Sequence, residues 1–193
     1  GIIELWNVTL YRYPLIKRIN IYDDYMVYLK DIKDNNQSSS NNNNNKKITG
    51  LNWSILHDNL IACVINYLDI VIYDLNENKI IDILSMSSNV YSNLNNNIIY
   101  NNTILWHPIN TALLLANNDT FTFLFNIDTS QLIRTWSCHN ERIHYLLLCP
   151  YHVDLFLTCS KDESYIKILN INEESYIYIY DVKEDINYIS WTP

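Results

Sequence analysis

Leu155-Phe156-Leu157-Thr158-Cys159-Ser160-Lys161-Asp162-Glu163-Ser164-Tyr165-Ile166-Lys167-Ile168-Leu169-Asn170 holds two apolar runs around a polar centre at 160–164. Short runs rich in β-branched and aromatic residues, bounded by Ser, Asp or Asn, read as two strands joined by a turn. Cys159 and this centre bring a thiol, hydroxyls, an amine and carboxylates side by side, so the stretch has the look of an active site. Recurrence elsewhere in the chain decides between these readings.

The pattern does recur. Apolar runs of similar length stand at 60–64, 70–73, 112–116, 121–125, 145–148 and 176–180, each ending near Asn, Asp or Ser. No long stripe of 3.6-residue period competes with them, so the expected fold class is all-β. Three segments share an ending: Ile104-Leu105-Trp106-His107-Pro108, Leu146-Leu147-Leu148-Cys149-Pro150 and Ile189-Ser190-Trp191-Thr192-Pro193. Their prolines are 42 and 43 residues apart. Leu51-Asn52-Trp53-Ser54 reads as an earlier copy without the proline. Trp53 precedes Trp106 by 53 residues, an excess that the Asn-rich stretch before Thr103 absorbs.

A second marker sits inside each unit. A bulky residue followed by Asp or Asn closes a strand in Trp6-Asn7, Tyr73-Asp74, Phe125-Asn126 and Leu169-Asn170. A period near 42, four short strands per unit and this strand ending predict a β-propeller of the WD-repeat kind across 1–193. About four blades of a seven-bladed ring are accounted for, although Trp-Asp itself never occurs. The chain begins with Gly1 inside a strand-like run, so it is expected to be a fragment of a longer protein. Residues 34–47 form an Asn/Ser-rich insertion that buries too little apolar area to order itself, and 85–103 form a second Asn-rich loop.

Composition narrows the function. Hydrophobic residues make up 48% of 193, enough for a packed core. A formal charge of −8 repels phosphate backbones, so nucleic acid is not the expected partner. The 16 tyrosines serve better as strand formers than as base-stacking platforms. Cys63, Cys138, Cys149 and Cys159 include no C-x-x-C pair, so no metal site is expected; they read as buried thiols in a reducing cytosol. No run reaches the roughly 18 apolar residues of a membrane helix, and no signal peptide is visible. With only two glycines, Asn66, Asn78 and Asn118 are expected to take the positive-φ turn positions.

The propeller register gives the polar centre a structural role. The second strand of a blade covers 155–159, the turn 160–164 and the third strand 165–169. His139 falls in the blade's entry loop. In well-formed WD repeats, a His there bonds an Asp of this turn, and a strand Ser and a Trp complete the network. His139, Ser160 and Asp162 match these roles, and Leu169 replaces the Trp. Lys161 and Glu163 read as solvated turn residues. The competing Ser-His-Asp hydrolase lacks a G-x-S-x-G elbow and a glycine-built oxyanion hole. No catalytic residue and no cofactor are therefore assigned.

The stretch from Cys149-Pro150 through Asp154-Leu155-Phe156-Leu157-Thr158-Cys159-Ser160-Lys161-Asp162 resembles a characteristic blade of the larger outer-coat subunit of COPII vesicles. Ser160 stands where that family has Gly. Trp106-His107-Pro108 with 111–116 is similar to the preceding blade, as are Leu132-Ile133-Arg134-Thr135-Trp136-Ser137-Cys138-His139 to its close. Segments 48–53, 59–62 and 71–79 resemble the blade before that, and 186–193 the one after. The resemblance implies a scaffold of the cage around vesicles leaving the endoplasmic reticulum for the Golgi. It implies a smaller WD-repeat coat subunit and other propellers at the cage vertices as partners, with the inner coat met by regions outside this chain. It also implies a cytoplasmic protein, peripheral on the endoplasmic reticulum membrane, with no membrane insertion. The alternative is another WD-repeat adaptor, a ubiquitin-ligase substrate receptor or a ribonucleoprotein scaffold.

Overall fold

The computed structural model describes residues 1–9, 14–33, 47–86, 102–160 and 163–192. The insertion expected at 34–47 lies outside these except for Lys47. Of the loop expected at 85–103, residues 87–101 lie outside them.

Fourteen strands form one two-stranded and three four-stranded antiparallel sheets among the described residues. Sheet I pairs β1 (Ile3–Trp6) with β2 (Leu15–Ile19). Sheet II runs β3 (Ile48–Trp53), β4 (Leu60–Ile65), β5 (Asp69–Asp74), β6 (Lys79–Ser85). Sheet III runs β7 (Ile104–Trp106), β8 (Leu113–Asn118), β9 (Phe121–Asn126), β10 (Gln131–Ser137). Sheet IV runs β11 (Ile143–Leu148), β12 (Leu155–Ser160), β13 (Tyr165–Asn170), β14 (Tyr176–Asp181). Each four-stranded sheet is a meander whose sequence neighbours are its spatial neighbours.

The sheets stack face to face in chain order. Ala62, Val64, Ile70 and Ile72 of sheet II pack against Trp106, Leu114, Phe123 and Phe125 of sheet III. The opposite face of sheet III gives Leu124 and Trp136 to Phe156 and Leu169 of sheet IV. The opposite face of sheet II gives Ile61, Val71 and Tyr73 to Ile3, Ile19 and the helix that follows β2. The central strands β4 and β8 are therefore packed on both faces, which is why they read as continuous rather than alternating runs. Each fully buried Phe, such as Phe123 and Phe156, contributes about 1.5–3 kcal/mol, so face contacts hold the stack together.

One element departs from the all-β expectation. Helix α1 (Ile21–Lys33) follows sheet I. Asn20 starts it, its carbonyl accepting the amides of Asp23 and Asp24 and its side chain donating to Asp23. Asp23 and Asp24 also favour the positive end of the helix dipole. Ile21, Tyr22 and Tyr25 are buried, with Tyr28 and Leu29 beside them against sheet II. This is a helical stripe, hidden by tyrosines that also suit strands.

The repeat is visible in the backbone. Trp53 pairs with Ile61, Trp106 with Leu114 and Leu148 with Phe156, so the first-strand marker holds one register in three sheets. At the loop beyond it, Ser54, His107 and Cys149 each donate their amide to the carbonyl of Leu60, Leu113 and Leu155 in turn. At the following turn, Leu75, Ile127 and Ile171 donate to Asn59, Ala112 and Asp154. At the far end, Met86, Cys138 and Val182 donate to Leu68, Thr120 and Ser164.

The Trp191 marker does not extend this series. Residues 185–192 carry no strand and pair with none of the described strands. Their stretch instead lies by β11, where the Tyr145 hydroxyl donates to the Asn187 carbonyl at 2.6 Å and the Tyr145 and Tyr188 rings meet edge to face.

Candidate functional site

The strand-ending markers turn out to build the turns that follow them. Asn7 Oδ1 accepts the Thr9 amide at 3.0 Å, and Asp74 Oδ1 the Asn76 amide at 2.7 Å. Asn126 Oδ1 accepts the Asp128 amide at 2.9 Å, and Asn170 Oδ1 the Asn172 amide at 2.8 Å. Only a short side chain with an acceptor oxygen can close this ring two residues on, which is why the position is Asp or Asn. The bulky residue before it points into the core in the last three copies: Tyr73, Phe125 and Leu169 are all buried. Trp6 is half-exposed at the end of β1.

Other markers have divergent surroundings. Trp106 is buried and its indole N–H donates to the Asn52 carbonyl of sheet II at 3.2 Å. Trp53, at the equivalent place, is half-exposed and donates to the Asp58 carbonyl at 2.8 Å. Pro108 and Pro150 lie in the β7–β8 and β11–β12 loops, with Pro150 exposed. Asn66 and Asn78 do take positive φ, at 51° and 55°. Asn118 does not: it pairs with Phe121 inside the ladder, and Asp119 turns the chain at φ 50°.

The polar network centres on His139, in the loop from β10 to β11. That loop is pinned from behind, where Thr120 accepts the Cys138 amide at 3.1 Å and Asp119 accepts the Ile143 amide at 2.8 Å. The His139 side chain is fully enclosed. Its Nδ1 lies 2.6 Å from Glu163 Oε2, and its Nε2 lies 3.1 Å from Thr158 Oγ1. The other Glu163 oxygen accepts the amides of Asn140 at 2.6 Å and Glu141 at 3.0 Å. One carboxylate thus holds the whole entry loop. Lys167 Nζ donates to the Cys138 carbonyl beside it.

The described partners of His139 are not the ones expected. Both His139 ring nitrogens are satisfied by Glu163 and Thr158. Ser160, fully buried at the end of β12, makes no hydrogen bond through its hydroxyl among the described residues. Lys161 and Asp162 lie outside the described residues. Glu163 is no solvated turn residue: its side chain is only 10% exposed. Thr158 could have been suspected from register alone. Thr158 shares its face of β12 with Phe156, toward sheet III.

Electrostatics fit a neutral ring. Burial pushes the His139 imidazolium down, and the Glu163 carboxylate does not compensate. Nδ1–H then donates to Glu163 while Nε2 accepts the Thr158 hydroxyl. Burial raises the Glu163 carboxyl, but the His139 hydrogen bond and the two loop amides outweigh it and hold the group below its ordinary value. The arrangement fastens a loop across the boundary of sheets III and IV.

All four cysteines are free and buried. Cys149 and Cys159 lie at opposite ends of the β11–β12 hairpin, since Leu148 pairs with Phe156 and Tyr145 with Cys159. Burial pushes the Cys159 thiol up to about 11, which leaves it a poor nucleophile at neutral pH. No group of three or more His, Cys, Asp or Glu that could hold a metal ion occurs among the described residues. No described helix is long and apolar enough to cross a membrane.

The chain matches no protein-family model, and no curated protein is significantly similar to it.

Proposed function

We propose that the chain forms consecutive blades of a WD-repeat-type propeller and serves as a protein–protein scaffold of the COPII outer coat. The observation that supports the propeller best is the side-chain turn at Asn7, Asp74, Asn126 and Asn170, which closes successive sheets in one register. Face-to-face stacking in chain order fits blades around an axis. The coat reading rests on the residue pattern of 149–162 and its neighbours in order. In that reading the chain meets a smaller WD-repeat subunit and other propellers, and works on the cytoplasmic side of the endoplasmic reticulum. The network at His139 would then keep one blade edge rigid for such contacts.

Affinity purification of the full-length protein tests this. A small WD-repeat protein in near-equal amount is the expected companion. Its absence, with a ubiquitin-ligase core or ribonucleoprotein in its place, overturns the coat and leaves an adaptor.

A further inference from the structure

The last strand of each sheet is one of its two edges, and three of these four strands carry charge before their last residue. β2 has Lys17 and Arg18, β6 has Lys79 and Asp82, and β10 has Arg134. Charges on an edge discourage a foreign strand from pairing there. β14 is different: its one charge is its last residue, Asp181, and Tyr176-Ile177-Tyr178-Ile179-Tyr180 before it has no charge and no proline. All five side chains are exposed, Tyr178 by 57% and Tyr180 by 55%. Among the described residues β14 is hydrogen-bonded on one side, by β13.

Both ends of this apolar run are acidic. Glu173 and Glu174 precede it, Asp181, Glu184 and Asp185 follow it, and all are exposed; Lys183 is the one base among them. We propose that the edge of β14 docks an extended segment of a partner protein, with alternating apolar side chains flanked by Lys or Arg. Main-chain hydrogen bonds would supply pairing, and the tyrosines and isoleucines would meet alternate side chains of the guest. The basic flanks would meet the two acidic ends and select the partner. A second copy of this chain fits worse. Antiparallel pairing of two β14 strands brings Glu173 and Glu174 of one against Asp181 and Glu184 of the other. This inference stands apart from the coat reading, because it uses only the edge, its exposure and its charge.

The test titrates the 193-residue chain with two labelled synthetic peptides. They share the core Thr-Val-Thr-Val-Thr and carry Lys-Lys at both ends or Glu-Glu at both ends. Fluorescence anisotropy reads affinity, and amide hydrogen exchange reads where the peptide sits. The Lys-flanked peptide is expected to bind at least about tenfold more tightly than its twin and to slow exchange at 176–181. Tyr178→Lys should weaken it by about tenfold or more with unchanged circular dichroism. The exposed pair Glu173→Lys and Glu174→Lys should narrow the preference, and it serves where Tyr178→Lys does not fold. Equal binding of the two peptides, no binding, or protection elsewhere would overturn the proposal. So would protection of β14 that appears without peptide as protein concentration rises, which makes the occupant a second copy.

Discussion

His139 Nδ1 lies 2.6 Å from Glu163 Oε2, joining the loop that leaves sheet III to the turn inside sheet IV. The same carboxylate holds the amides of Asn140 and Glu141. Removing it orphans a buried imidazole N–H and two loop donors at once. Glu163→Ala should therefore cost about 1–3 kcal/mol in urea unfolding. Glu163→Gln keeps an acceptor and should lose less. A Glu163→Ala protein as stable as the parent would show that water replaces the carboxylate without penalty.

The network also sets a direction with pH. His139 and His107 both have their values depressed below 6.5, in each case by burial first. His107 Nδ1 accepts the Asn110 amide at 2.9 Å, so a proton there would break its loop. A depressed histidine means the unfolded chain takes up the proton first. Stability is whole above 6.5 and falls as pH drops toward the lower folded values. Glu163, held below 4.5 by its partners despite burial, adds a further loss in stronger acid. The urea midpoint should fall between about pH 7.5 and about pH 5.5, and fall less in His139→Gln. A level or rising midpoint contradicts this account.

How much of this was legible depends on the range of the interaction involved. The Asx turns at Asp74 and Asn126 are local, so the sequence spacing exposed them directly. The register of Trp53, Trp106 and Leu148 follows from a constant spacing along the chain to their partners Ile61, Leu114 and Phe156. Helix α1 has its stripe in Ile21, Tyr22, Tyr25, Tyr28 and Leu29, but three of these five are tyrosines, which suit strands and mask the period. Asn118 missed its turn by one position because the Asn118–Phe121 pair leaves Asp119 and Thr120 as the two-residue loop. Glu163 was hidden for a different reason. Its partners are more than 20 residues away, and whether a turn carboxylate faces water or a neighbouring loop is decided by how the sheets stack.

The side-chain turns can be weighed one against another. Asn126 Oδ1 accepts two amides, from Asp128 and Thr129, whereas one amide, that of Asn172, is seen on Asn170 Oδ1. Asn126→Ala should cost about 1 kcal/mol and more than Asn170→Ala. Asn126→Asp should be nearly neutral, since the acceptor is kept. Thermal unfolding of the three variants orders them, and equal loss at both positions would show that turn closure is not what these residues contribute.

Gly50 provides the sharpest steric test of the stack. It lies in β3 without positive φ, so freedom of the backbone is not its reason. A Cβ there would stand 2.5 Å from the Asn102 carbonyl oxygen and 3.2 Å from Val64 Cγ2. The Asn102 backbone cannot give way easily, because its amide donates to Thr49 at 2.8 Å and its side chain donates to the Asn117 carbonyl at 2.7 Å. Sheets II and III thus approach through the missing side chain. Gly50→Ala gains strand propensity but forces the two backbones apart, and the clash outweighs the gain by about 1–3 kcal/mol. A lower melting temperature for Gly50→Ala is the expected result. An unchanged or higher one would mean that the two sheets do not meet at Gly50.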